Sequence, residues 1–132
     1  MSESPSRLPR FDSCENEVRR VDKPWGYEVI WGLTERYCGK LLFVRAGEQL
    51  SLQLHRSKDE VIYVHEGEIE LEIGDEGSGR ESRSIPAGRA YRLRPGVVHR
   101  WRALEDSVIL EVSTPEIDDV VRLEDRYGRA EA

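Results

Sequence analysis

Acidic and apolar side chains alternate without a break in "EIELEIG" (Glu68–Gly74): Glu68, Glu70 and Glu72 take one side, Ile69, Leu71 and Ile73 the other. A period of two belongs to a strand with one wet face and one buried face. The same spacing runs through "LSLQLH" (Leu50–His55), with Leu50, Leu52 and Leu54 on one face and Ser51, Gln53 and His55 on the other. Strand-length segments also occur at "KPWGYEVIW", "YCGKLLFVRAG" and "EVIYVHEG", the last turning at Glu66-Gly67. "ESRSIPAG", "AYRLRPG", "VVHRWRAL" and "SVILEVS" complete the set. Turn signals recur about every 8 to 12 residues, which predicts an all-β sandwich or barrel. After Pro115, "DDVVRLEDRYGR" (Asp118–Arg129) predicts a short helix capped by Asp118. Residues 1–20 are rich in Ser, Pro, Glu and Arg and predict a flexible arm, leaving residues 21–132 as one folded domain.

Composition narrows this picture. The 132 residues, 38% hydrophobic and 35% charged, fit a single core under a heavily charged surface. No apolar run approaches the roughly 18 residues of a spanning helix, and "MSESPSRLPR" lacks the apolar stretch of a signal peptide, so a cytoplasmic protein without a membrane partner is expected. The net charge of −6 comes with no basic patch interleaved with aromatics, which argues against nucleic acid. It does not argue against anions, because local arginines bind a phosphate whatever the total charge. Cys38 lies in an apolar strand pattern and reads as a small buried hydrophobe; Cys14 lies in the polar arm.

The candidate chemistry lies on the polar face of Leu50–His55. Gln53 and His55 share that face and can reach one point. Glu60 opens the next strand and comes back beside His55 if the two strands pair antiparallel. His99 follows a Pro-Gly turn and shares its face with Trp101 and Ala103, which read as inward. An amide oxygen, two imidazoles and a carboxylate would form an N/O site for a divalent metal with positions left for water or substrate. The plainer reading stands beside it: a solvent-facing Gln53, a surface His55 and an ordinary Glu60. Spacing alone does not decide. Glu111 is a similar case. If it turns inward with Ile109, it is a carboxylate inside the barrel and a candidate general base; otherwise it is an outward charge.

Two motifs carry a resemblance. G-x5-Q-x-H-x4-E-x6-G (Gly47 to Gly67) and P-G-x-x-H (Pro95 to His99) resemble the paired motifs of the cupin superfamily. "KPWGYEVIW" and "DDVVRLEDRYGR" are similar to the segments that open and close the isomerase domain of the type II bifunctional mannose-1-phosphate guanylyltransferase/mannose-6-phosphate isomerases. The resemblance covers Val21 to Arg129. It implies a single-domain double-stranded β-helix (jelly-roll) barrel. It also implies one divalent metal ion on Gln53, His55, Glu60 and His99, zinc first, with manganese, iron, nickel or cobalt as alternatives.

The implied activity is aldose–ketose isomerisation of a sugar or sugar phosphate such as mannose 6-phosphate, with Glu111 as proton-transfer group and Lys58, Arg122 and Arg129 contacting substrate. A metal-containing cupin that binds carbohydrate without turnover, or an Fe(II) dioxygenase, are the alternatives. Arg122 and Arg129 also admit a purely structural reading in which Asp125 pairs with them. Two departures from the family pattern fall where a phosphosugar would be held. "HRSKDE" has Lys58 where the family has arginine, which loses a bidentate fork. "STPEI" (Ser113–Ile117) is shorter than the family's link and lacks its tyrosine. A homodimer is expected, because the leucine face opposite Gln53 and His55 must be covered by another sheet, the N-terminal strand or a second subunit.

Overall fold

The computed structural model describes residues 13–75 and 79–130. Most of the expected arm, residues 1–12, and three residues of the Asp75–Gly79 loop lie outside that range. Eleven strands follow one another: β1 (Arg19–Lys23), β2 (Gly26–Leu33), β3 (Cys38–Val44), β4 (Leu52–Leu54), β5 (Glu60–Glu66), β6 (Glu68–Gly74), β7 (Arg80–Pro86), β8 (Ala90–Leu93), β9 (Val98–Ala103), β10 (Ser107–Ser113) and β11 (Val121–Glu124). They form two antiparallel sheets, ordered β1-β2-β3-β10-β5-β8 and β11-β4-β9-β6-β7. From β3 onward successive strands alternate between the sheets, apart from the β6–β7 hairpin, the connectivity of a jelly roll.

The core is built from the inward parity of each sheet. Leu42, Val44, Ile62, Val64 and Ile109 from the first sheet meet Ile69, Leu71, Trp101 and Ala103 from the second. Each such valine, leucine or isoleucine, nearly inaccessible to water, contributes about 1.5–3 kcal/mol of burial. Sequence parity is borne out in β6, where Ile69 and Leu71 are buried, and in β9, where His99, Trp101 and Ala103 all point in. It holds in β10 too: Ile109 and Glu111 are both buried. Gly67 closes the β5–β6 turn at φ +87°, with a Cβ there falling 2.3 Å from Ser107 Oγ and 2.5 Å from the Asp106 carbonyl oxygen.

Two expectations fail. The helix over Asp118–Arg129 is not formed; no helix occurs among the described residues, and Val121–Glu124 instead extend the second sheet. The three-residue β4 leaves an edge that β11 completes, pairing Val121 with Leu54 and Arg122 with Gln53. β-branched Val120 and Val121 suit that extended path. The leucine face is also not continuous. Leu50 joins the main core, while Leu52 and Leu54 form a second cluster with Val98 and Val121. Alternation breaks before β4, where Leu50 N–H donates to the Trp101 carbonyl and both Leu50 and Ser51 line one cavity. All three leucines are buried within the chain, at most 9% exposed, so this stripe calls for no second subunit.

Candidate metal centre

The two sheets converge on one end of the barrel. β4 supplies Gln53 with His55 just beyond its end, β9 supplies His99, and β5 begins with Glu60 from the opposite sheet. Gln53 and His99 are direct cross-strand partners. His55 Nε2 lies 3.7 Å and His99 Nε2 3.6 Å from Glu60 Oε1, with the three side chains at most 5% exposed. Two ligand atoms each about 2.1 Å from one ion at a tetrahedral angle would be about 3.4 Å apart, close to this spacing.

The other ring nitrogens fix the tautomers. His99 Nδ1 is 3.0 Å from the Val97 carbonyl oxygen and His55 Nδ1 is 2.5 Å from that of Asp119. A carbonyl only accepts, so each Nδ1 carries the hydrogen and each Nε2 turns a lone pair toward Glu60. Both Nε2 atoms are buried and have no hydrogen-bond partner. Two orphaned imidazole lone pairs facing a carboxylate are costly without an occupant and suit a divalent cation. Burial pushes the His99 imidazole down, toward its neutral ligating form. Burial alone would raise Glu60, but the His55 contact and the Lys58 ammonium hold it well below the usual carboxylate range.

Gln53 lines the same cavity, with its Oε1 accepting a hydrogen bond from Ser51 Oγ at 2.7 Å. The structure thus brings His55, Glu60 and His99 together as a trio and sets Gln53 beside it with its oxygen held by Ser51.

Behind the trio runs a row of alternating charges. Lys58 Nζ sits 3.0 Å from Glu60 and 2.9 Å from Glu111; Lys40 Nζ sits 3.8 Å from Glu111 and 3.3 Å from Glu28; Lys23 is 4.0 Å from Glu28. Sequence reasoning placed Lys58 at the barrel mouth as a phosphate contact. At 4% exposure and clamped between two carboxylates it is a buried counter-charge instead. Burial would lower the Lys58 ammonium, but the Glu111 and Glu60 carboxylates raise it above its ordinary value, so it stays cationic. Burial, and then the Glu60 charge, push the Glu111 carboxyl up.

A cleft partly open to solvent connects these groups. Its lining includes Lys23, Arg122 and Arg129. Lys23 and Arg129, each 26% exposed, mark its opening. Arg122 Nε is buried without a hydrogen-bond partner among the described residues. The Arg129 guanidinium makes two bonds to Asp125, at 2.8 and 3.1 Å, and its backbone N–H a third, so the structural reading of Asp125 holds for Arg129.

Lys23, Glu28, Lys40 and Asp119 were missed from sequence. Lys40 shares parity with Cys38, Leu42 and Val44, a signal that it faces inward; the opposite parity, Leu41 and Phe43, is just as apolar and masks it. Asp119 anchors the ligand loop, its carboxylate accepting the backbone N–H groups of Arg56, Ser57 and Lys58.

Comparison with known proteins places this geometry. Residues 41–113 match the family described as "Cupin domain". The chain is 34% identical over 116 residues to mannose-1-phosphate guanylyltransferase 2 of Escherichia coli O157:H7, covering 83% of this chain and 23% of that one. It is 37% identical over 115 residues to the mannose-1-phosphate guanylyltransferase ManC of Salmonella typhimurium, covering 84% and 23%. It thus spans about a quarter of these relatives' length. Among solved structures, KdgF from Halomonas sp. superposes with a TM-score of 0.65 at 26% identity, over 80% of this chain and 91% of that one. A variant of Bacillus subtilis oxalate decarboxylase superposes with a TM-score of 0.71 at 18% identity, over 81% and 30%, a likeness of fold.

Proposed function

This chain belongs to the cupin family, and from that premise we propose that it is a cytoplasmic, metal-dependent aldose–ketose isomerase acting on a sugar phosphate such as mannose 6-phosphate. One observation carries the reading: two imidazole Nε2 atoms, buried and without hydrogen-bond partners, face the Glu60 carboxylate at the bottom of a cleft whose opening is cationic. The relatives, named for mannose 1-phosphate chemistry, make a mannose phosphate the substrate to try first.

A divalent cation held by His55, Glu60 and His99, with Gln53 beside them, would polarise a sugar carbonyl and its neighbouring hydroxyl. The chain's own groups supply the rest. Glu111 lines the cleft and takes the proton from C2 of the aldose, returning it to C1 of the ketose. A raised carboxyl is the stronger base, and burial raises Glu111. Lys58 holds Glu111 and Glu60 apart and keeps both in place. Lys23, Arg122 and Arg129 meet the phosphate, with Arg129 braced by Asp125. Arg122 has its Nε free to donate, and phosphate is an acceptor suited to it.

The protein loaded with zinc, manganese, iron, nickel or cobalt in turn should interconvert mannose 6-phosphate and fructose 6-phosphate. Arg122→Ala should raise KM by about tenfold or more, the loss of a charge-assisted contact of about 1.5–3 kcal/mol, with metal content unchanged. Sugar phosphate bound by the loaded protein without turnover would move the assignment to a carbohydrate-binding cupin.

A further inference from the structure

One wall of the cleft is the C-terminal segment, which brings Ile117, Val120, Arg122 and Arg129 to it. That segment is fastened at both ends. At its start Asp119 accepts the N–H groups of the Arg56–Lys58 loop. In its middle β11 meets β4 in only three residue pairs, with a bulge between Arg122 and Glu124. So short a ladder leaves the residues after it to be placed by side chains. At the far end the Tyr127 hydroxyl donates to Glu48 Oε1, and its ring packs against the main core. Arg126 Nη1 donates to the Gly47 carbonyl at 2.9 Å and lies 3.8 Å from Glu48 Oε1. The Gly47–Glu48 turn that receives both is itself tied to the end of β9. Gly47 N–H donates to the Ala103 carbonyl at 2.8 Å, and Ala103 N–H to the Glu48 carbonyl at 2.9 Å.

Arg129 follows Tyr127 by two residues. Its guanidinium lies 5.6 Å from the centroid of the Tyr127 ring, within cation–π range. Asp125 grips that guanidinium, and Gly128 N–H donates to the Asp125 carbonyl at 3.2 Å. Gly128 closes the turn at φ +80°. These contacts lie within Asp125–Arg129, so they fix the shape of the turn and not its place on the barrel. Among the described residues, the side-chain hydrogen bonds from this turn to the barrel are those of Arg126 and Tyr127. Arg126 is 43% exposed, and an exposed ion pair contributes little. The directional contact is the half-buried Tyr127 hydroxyl on a carboxylate. We propose that Tyr127, through Glu48, is the positioning residue that sets the Arg129 guanidinium in the cleft, and with it the strength of the cleft's grip on phosphate. This rests on the reading of the cleft as a sugar-phosphate site. Were Tyr127 only a core aromatic, its ring would matter and its hydroxyl would not.

Tyr127→Phe separates the two, because it keeps the ring and removes the donor. Zinc-loaded Tyr127→Phe should bind inorganic phosphate and mannose 6-phosphate about fivefold or more weakly than zinc-loaded wild type by calorimetry, the loss of one charge-assisted contact. Zinc per chain and far-ultraviolet circular dichroism should not change. In turnover KM should rise and kcat hold, since Tyr127 touches neither Glu111 nor the trio. Glu48→Ala should give the same loss, and the double variant no more than either alone. In an Arg129→Ala background, Tyr127→Phe should change phosphate affinity no further. Wild-type affinity in Tyr127→Phe overturns the proposal, and so does a loss that persists in full without Arg129. Wild-type protein that binds mannose 6-phosphate without turning it over, with the Tyr127→Phe loss intact, supports the proposal and sinks the isomerase reading. Wild-type protein that binds neither ligand overturns both.

Discussion

Lys58 shows how a single side chain changes its role once its neighbours are known. Its charge and its nearness to Glu60 are visible in "HRSKDE"; its burial is not, because Glu111 reaches it from the neighbouring strand β10, some fifty residues on in sequence. Removing the ammonium would leave two buried carboxylates facing each other. Lys58→Met should therefore cost about 3–5 kcal/mol in denaturant unfolding, rather than only weaken substrate binding. A Lys58→Met protein of wild-type stability would contradict that. His99→Ala should fold and lose the metal, read as metal per chain after dialysis. The shared faces of Gln53 with His55 and of His99 with Trp101 could be read from strand parity, though spacing alone left open whether His55 turns inward. The tautomers could not, since they depend on the Val97 and Asp119 carbonyls, which only the fold brings close.

Elements differ in how far pattern alone specifies them. β6 and β9 alternate apolar with charged residues, so one register buries the apolar set and the other does not. The segment after Pro115 has no such constraint. Its periodicity serves a helix or a strand, and the open edge of β4 decides for the strand. Asp119 then fastens the two ends of the site together. Asp119→Ala frees three backbone N–H groups and should cost about 1–3 kcal/mol, with reduced metal affinity because the Arg56–Lys58 loop that follows His55 loses its anchor. The acid side follows from sign. The N–H groups, that of Ser57 foremost, hold the Asp119 carboxyl below its ordinary value. Its stabilisation is thus present above the unfolded pKa of about 3.9 and is lost as pH falls through the lower folded value. Unfolding midpoints of Asp119→Asn, measured down this range, should lack that part of the acid-side slope. At the β5–β6 turn, Gly67→Ala must accommodate both a positive φ and Ser107 Oγ, and should cost about 1–3 kcal/mol by the same unfolding measurement.

At the scale of the whole molecule the jelly roll was legible, because many short strands with recurrent turns leave few all-β arrangements. What parity left open was β2, β3 and β10. Both of their faces carry large apolar residues, so alternation does not say which side is the core. One side packs against Ile69, Leu71 and Trp101; the other is the uncharged outer face. The same ambiguity hid Lys40 and Glu28, charges on two neighbouring strands that read as apolar. Fold and charge row together serve one centre at one end of the barrel, for which we propose proton transfer on a sugar phosphate. Proton NMR of mannose 6-phosphate in deuterium oxide tests it most directly. With metal-loaded wild-type protein, the C2 proton signal should disappear as fructose 6-phosphate forms, and with His99→Ala it should persist. Fully loaded protein that leaves the C2 proton of mannose 6-phosphate in place with every one of zinc, manganese, iron, nickel and cobalt would contradict it.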